Sequence, residues 1–385
     1  MSNSDKSTPS ISLPGGFQFN QVSPSLRKLV LDTAPGLGPL AHFVGHWSGT
    51  GFNTIFRPNS AQSPTPLPVP AGGDNVLELN LTSESLAFSN PLGSVPNRGM
   101  VQGDVFLNGV TYLQTISDIT IPTQPVGIHV EPGIWIVVPP TTDPTEGQTV
   151  VRMASIPHGT TIVAQGTATT INGPPTIPAV DITPFTTGNP ANKISFPSQT
   201  AANQTTARIP QDLTTFIASG TITQAMLTDP NSVLRNVISH QTITSTTQIS
   251  ISTAPASPLF GGGTDNIAFL LGNAPATSPN AQTLQMTATF WIESVQHIIP
   301  IPIFKVGQPP LQLKPQSKLN PELLPTFSVK PPINITEPQL FKFTSTQIQY
   351  SQVVMLNFNG LTWPHVSVAT LRPVPLIEIP VSAWA

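Results

Sequence analysis

The chain has 385 residues, of which 45 are proline and 27 glycine, spread so evenly that few helices of ordinary length escape interruption. Only 9% of residues are charged and the net charge is −3, so there is no basic stripe for nucleic acid and no polybasic membrane patch. Cysteine is absent, which excludes disulfides, thiolate metal sites and cysteine nucleophiles.

The first twenty residues lack a charged region followed by an apolar one, and no run is long enough to span a bilayer, so a soluble, cytoplasmic protein is the expectation. Residues 1–38 read as a tail with one short helix over "SPSLRKLVLDTAPG", stopped by Pro35 and Gly36. The next segment, "GHWSGTGF", opens the strand-like part of the chain. In a strand, Gly45, Trp47, Gly49 and Gly51 share one face, one large wedge beside an empty floor, and glycine there marks a bend or a close approach.

Further strands are expected at 43–56, 76–81, 103–107, 111–116, 127–138, 151–156, 161–168, 215–223, 232–253, 284–294, 341–358 and 362–371, from their Val, Ile, Thr and Phe content. The Asn-Gly pairs in "LNGV" and "NFNGLTW" each predict a tight hairpin, which makes consecutive strands antiparallel neighbours. Long proline-rich connectors separate them. The fold class is therefore all-β, one domain over 39–375 with long Pro-rich loops, followed by a short tail, 376–385. A division near residue 255, with "GGGTDN" as linker, is the alternative.

The usual hydrolase and nucleotide-enzyme signatures are missing, and attention falls on the seven histidines. His365, in "LTWPHVSVATLRP", shares a strand face with Ser367, Ala369 and Leu371. Above small residues it leaves room for a flat ligand, although an isolated strand histidine is more often simply hydrogen-bonded to a neighbour. "GIHVEPGIW" supplies His129 and Glu131, and "MASIPHGTTI" supplies His158 downstream of Arg152, with a bulge or edge expected at Pro132 and Gly133. Such a grouping can hold a divalent metal, do acid–base work, or be ordinary rim hydrogen bonding. His42 and His46 make a weak metal pair, and His240 and His297 read as surface or loop residues.

"GHWSGTG" resembles the G-x-W-x-G-x-G pattern near the start of nitrobindins, haem-binding β-barrels of the calycin group. "FNGLTWPHVSVATL" resembles their C-terminal hairpin, whose last strand begins with the haem-ligating histidine. The resemblance covers about eight residues at one end and about a dozen at the other. It implies haem b as cofactor, His365 as the iron ligand, and Trp47, Gly49, Gly51 and Ser367 as residues shaping the cofactor site. It also implies that residues 39–375 form a single large antiparallel up-and-down β-barrel whose first and last strands close the wall, bringing Trp47 near His365, while His129 and His158 become candidates for acid–base chemistry. Binding of nitric oxide or another diatomic, peroxynitrite isomerisation and weak peroxidase activity all stay open, and so does the oligomeric state. A lipocalin-like carrier of an apolar molecule without metal is the alternative, and a structural β protein the third reading.

Overall fold

The computed structural model describes residues 36–62, 64–70, 73–255, 261–273 and 279–384. The helix expected over 23–35 lies outside them. Ten antiparallel strands form a closed barrel. In chain order they are β1 (Gly45–Pro58), β2 (Asn75–Phe88), β3 (Val105–Asp118), β4 (Val126–Val138) and β5 (Thr149–Ile156). The second half continues with β6 (Thr160–Asn172), β7 (Thr242–Ser252), β8 (Gln282–Ile301), β9 (Gln339–Phe358) and β10 (Leu361–Pro373). Each pairs with the next, and β1 pairs with β10, which closes the barrel. The Gly-rich stretch read as a linker adds a short strand, Gly263–Asn266, to β6, while β7 and β8 on either side of it are hydrogen-bonded neighbours.

The β1–β10 seam explains "GHWSGTG". A Cβ on Gly49 would lie 1.9 Å from the Thr370 carbonyl oxygen, and one on Gly51 would lie 2.1 Å from that of Val368. What approaches the glycines is the backbone of the last strand. Trp47 is buried and its Nε1 donates to the Phe43 carbonyl at 2.8 Å. The hairpin expected at Asn359-Gly360 is present, with both residues at positive φ (50° and 71°), as a tight turn of this kind requires.

Three expected elements differ in the structure. Asn108-Gly109 does not turn: both sit within β3, where Gly109 lets the Trp135 carbonyl come close and Asn108 Oδ1 accepts from the Gly93 and Gly109 amides. The strand expected at 215–223 is instead a helix, α1 (Thr214–Ser219), ended by Gly220 at φ 72°. The strand expected from Ser232 begins only at Thr242, after two short helices, α2 (Gln224–Thr228) and α3 (Ser232–Ile238). Val233, Leu234, Val237 and Ile238 follow helical spacing, which a short apolar run does not distinguish from a strand.

Burial divides into three cores. Inside the barrel, at the Trp47 end, Phe43 stacks on Phe88 at 4.6 Å while Trp135 meets Phe290 edge-on at 5.1 Å. Each such ring contributes about 1.5–3 kcal/mol by leaving water. Outside the wall, the excursion 173–241 with its short helices covers Phe52, Phe56, Trp291, Val366 and Val368. The overhanging ends of β8 and β9 carry a third core around Phe304, Phe327 and Phe343. On β10 the alternation is as read from sequence: Ala369 and Leu371 face the interior, Val366 and Val368 the outer core.

Candidate functional site

The barrel interior is filled at one end and hollow at the other. The hollow end is a cavity of about 310 Å³ bordered by His129, His158, His365, Asn53, Asn80, Gln114, Gln352, Tyr350 and Ser367. Apolar walls come from Ile55, Ile116, Ile128, Ile156, Ile162, Met286, Val354 and Leu356. Volume and lining both match a small-ligand site, apolar with a few placed polar groups. Leu270, on the short helix α4 (Ala268–Leu271), also borders it.

The structure thus brings His365, Ser367, His129 and His158 to one cavity, and not Trp47, Gly49 or Gly51. β1 and β10 do pair, but antiparallel register sets Trp47 opposite Pro373 and Thr54 opposite Val366. Eight residues of β10 separate Pro373 from His365, roughly 26 Å of strand. The expected proximity of Trp47 and His365 is corrected accordingly: the tryptophan packs the closed end, and Asn53 is the β1 residue that meets His365.

Asn53 organises that meeting. Its Nδ2 lies 2.7 Å from His365 Nε2 and 2.8 Å from Ser367 Oγ, and its Oδ1 accepts from Asn80 Nδ2 at 3.3 Å. An amide nitrogen only donates, so Nε2 of His365 is the acceptor and Nδ1 carries the proton. Burial, with smaller contributions from His129 and His158, lowers the His365 pKa to about 3, leaving a neutral imidazole at ordinary pH.

His129 reaches the cavity through a bulge. The β3–β4 register passes from Ile116↔His129 to Ser117↔Gly127, leaving Ile128 extra, so the consecutive residues Ile128 and His129 both border the cavity. Of the bulge or edge expected at Pro132 and Gly133, the bulge lies four residues earlier and the edge is where expected: pairing with β5 begins at Gly133, and Pro132 pairs only with Leu113 of β3. His158 sits in the turn between β5 and β6, its ring stacked on His129 with centroids 5.4 Å apart.

Beneath the cavity lies a buried polar floor. Glu131 is fully buried and accepts from Arg152 Nη2 at 2.5 Å, from the Tyr112 hydroxyl, and from His129 Nε2 at 3.2 Å. Burial opposes its charge, but Arg152 and these hydrogen bonds prevail and hold its pKa at about 2. Arg152 also donates to the Tyr112 hydroxyl and to Gln352 Oε1, each at 2.8 Å, inside a cage of Tyr112, Trp135 and Phe290 rings about 5.5–5.7 Å away. Beside it, Glu84 accepts from Tyr350, Thr82 and Gln114; burial raises its pKa, the hydrogen bonds opposing.

Sequence reading named the histidines and missed Asn53, Asn80, Gln114, Gln352 and Tyr350. The available signal was alternation: Asn53 shares the Trp47 face of β1, and polar residues on an inward face need partners there. His42 and His46 are exposed, and so is His240, which was read as a surface residue. His297 is a correction: it is buried on β8, hydrogen-bonded to Ser345 Oγ at 2.8 Å and edge-on to Phe327. Among the described residues no group of three or more His, Cys, Asp or Glu is disposed to hold a metal ion, and no helix is long and apolar enough to cross a membrane.

No family model matches the chain, and no curated protein does. Among solved structures, the crystal structure of Rv2717c from M. tuberculosis aligns over 89% of this chain and 99% of its own, with 11% identity and a TM-score of 0.32.

Proposed function

We propose that the chain is a ligand-binding barrel that holds haem at its hollow end, with His365 as the donor to iron. The observation that carries the reading is a neutral imidazole on the inner face of the last strand, bordering a cavity with Ile, Met and Leu walls. The donor chemistry fits, since a neutral imidazole in an apolar pocket is a common haem ligand. Asn53 and Ser367, which both contact His365 Nε2, would have to release that nitrogen to iron, and His129 and His158 would be the polar groups of the opposite wall. Bound iron would supply a position for a diatomic or peroxide ligand; the chain's own contribution is to keep His365 unprotonated and to exclude water with the isoleucine walls.

The test is the absorption spectrum with and without hemin. A sharp Soret band that His365→Ala removes or shifts supports the reading, and a spectrum unchanged in that variant overturns it. Asn53→Ala is expected to strengthen hemin uptake, because Asn53 now occupies the Nε2 lone pair.

That same occupied lone pair, with a volume near the lower end for ligand pockets, favours a second reading: a carrier of a small amphipathic molecule without metal. Saturable binding of a fluorescent fatty acid with a rise in Tm, and no His365-dependent hemin spectrum, would select it.

A further inference from the structure

The three cavity histidines differ in which nitrogen their protein partners leave free. Glu131 is ionised beside Arg152, and a carboxylate only accepts, so the 3.2 Å contact with His129 has Nε2 as donor. In the uncharged form of His129, Nδ1 is then a bare acceptor. Burial lowers the His158 pKa, and one ring N–H points toward the Ile128 carbonyl, which leaves the other nitrogen of the uncharged ring an acceptor too. The two rings lie 29° from parallel, so their in-plane lone pairs do not converge on one ion between them. The pair makes an acceptor wall rather than a chelate, next to Ile116, Ile128 and Ile156.

We propose that this wall recognises a ligand with a protic hydroxyl head on a small apolar body, of the phenol class, whose O–H donates to His129 Nδ1, and that Glu131 is the positioning residue that holds His129 in this tautomer. The inference rests on the cavity being a ligand site and needs no iron. A buried acceptor left unpaired penalises any analogue that lacks the donor, which is what makes the wall selective.

Calorimetric titration of the full chain, prepared without hemin, would compare 4-propylphenol with 4-propylanisole, its O-methyl ether. The phenol should bind saturably and at least about tenfold more tightly than the ether, a hydrogen-bond-sized difference. His129→Phe, which keeps a ring in the wall but removes the acceptor, should bring the ratio below about threefold. Equal affinities in the wild type, a ratio that survives in His129→Phe, or no saturable binding of either probe would each overturn the proposal. Ring ¹⁵N shifts test the positioning role directly. They should report the Nε2–H tautomer of His129 in the wild type and a mixture in Glu131→Gln, and an Nδ1–H tautomer in the wild type would overturn it even if Glu131→Gln does not fold. A His365-dependent hemin spectrum alongside failed probe binding would reject this inference while leaving the haem reading intact; the converse pair of results would do the opposite.

Discussion

Two carboxylates buried in the same barrel wall behave in opposite ways, and the contrast shows what a single cation does to the interior. Glu131, inside the barrel, has Arg152 at 2.5 Å and stays ionised, with its pKa held at about 2. Glu293, on the outer face of β8 beneath the 173–241 excursion, is as fully buried but has only Gln347 Nε2, at 2.6 Å. Burial pushes its pKa up to about 8, and its Oε1 has no hydrogen-bond partner, as is also true of Gln349 Oε1 nearby. The inner site therefore carries a fixed charge pair that can orient His129, while the outer one holds a neutral acid that only fills space.

The largest test of this contrast removes the cation. Arg152→Met leaves Glu131 buried and uncompensated, and urea denaturation should show a loss of about 3–5 kcal/mol, as for other buried pairs broken on one side. Adding Glu131→Gln to Arg152→Met should recover much of the loss, because the orphaned charge is then gone. A single-variant cost below about 1 kcal/mol would mean that Glu131 is not ionised in the folded chain.

The two acids should also give stability opposite dependences on pH. For Glu131 the folded pKa is lowered, so its contribution is present above the unfolded value near 4.5 and is lost as pH falls toward about 2. For Glu293 the folded pKa is raised, so the folded state retains a proton that the unfolded state releases. Its contribution is complete below about 4.5 and is lost as pH rises through about 8, at up to about 1.4 kcal/mol per pH unit. Glu293→Gln, neutral at every pH, should abolish that slope, and parallel wild-type and variant curves between pH 5 and 8 would show that the acid does not hold its proton.

How much of this could be read from the chain follows from which signals are local. The strands and the Asn359-Gly360 turn were legible because strand periodicity and turn chemistry act over a few residues, whereas the closing pair of β1 and β10 came only with the resemblance. His365, Ser367, His129 and His158 were legible as rare polar residues in apolar strands. Asn108-Gly109 misled because the same dipeptide that makes a turn also serves where a neighbouring carbonyl presses on a strand, here that of Trp135. The helices at 214–238 were hidden because short apolar runs fit either period. Asn53 and Arg152 gain their roles only through partners hundreds or tens of residues away, His365 and Glu131, and no local pattern states a register. The placement of Trp47 failed for the same reason: pairing of the end strands was foreseeable, but the direction along them that separates Trp47 from His365 is set by where the pairing starts.

The smallest effect is also the most discriminating. Gln347 bridges Glu293 and Gln241, donating to the first at 2.6 Å and exchanging two hydrogen bonds with the second. Gln347→Met keeps the volume, and Gln241, which is partly exposed, can turn to water. While Glu293 is protonated the lost bond is neutral and should cost about 1 kcal/mol; once it ionises, the same bond would have been charge-assisted, worth about 1.5–3 kcal/mol. The cost of the substitution should therefore grow between pH 6 and pH 9, measured by urea denaturation of both proteins at each pH. Arg152, on the inner side, allows no such growth, because Glu131 is already ionised across that whole range; a Gln347→Met cost that stayed flat with pH would make the two carboxylates alike and remove the contrast between the two faces of the wall.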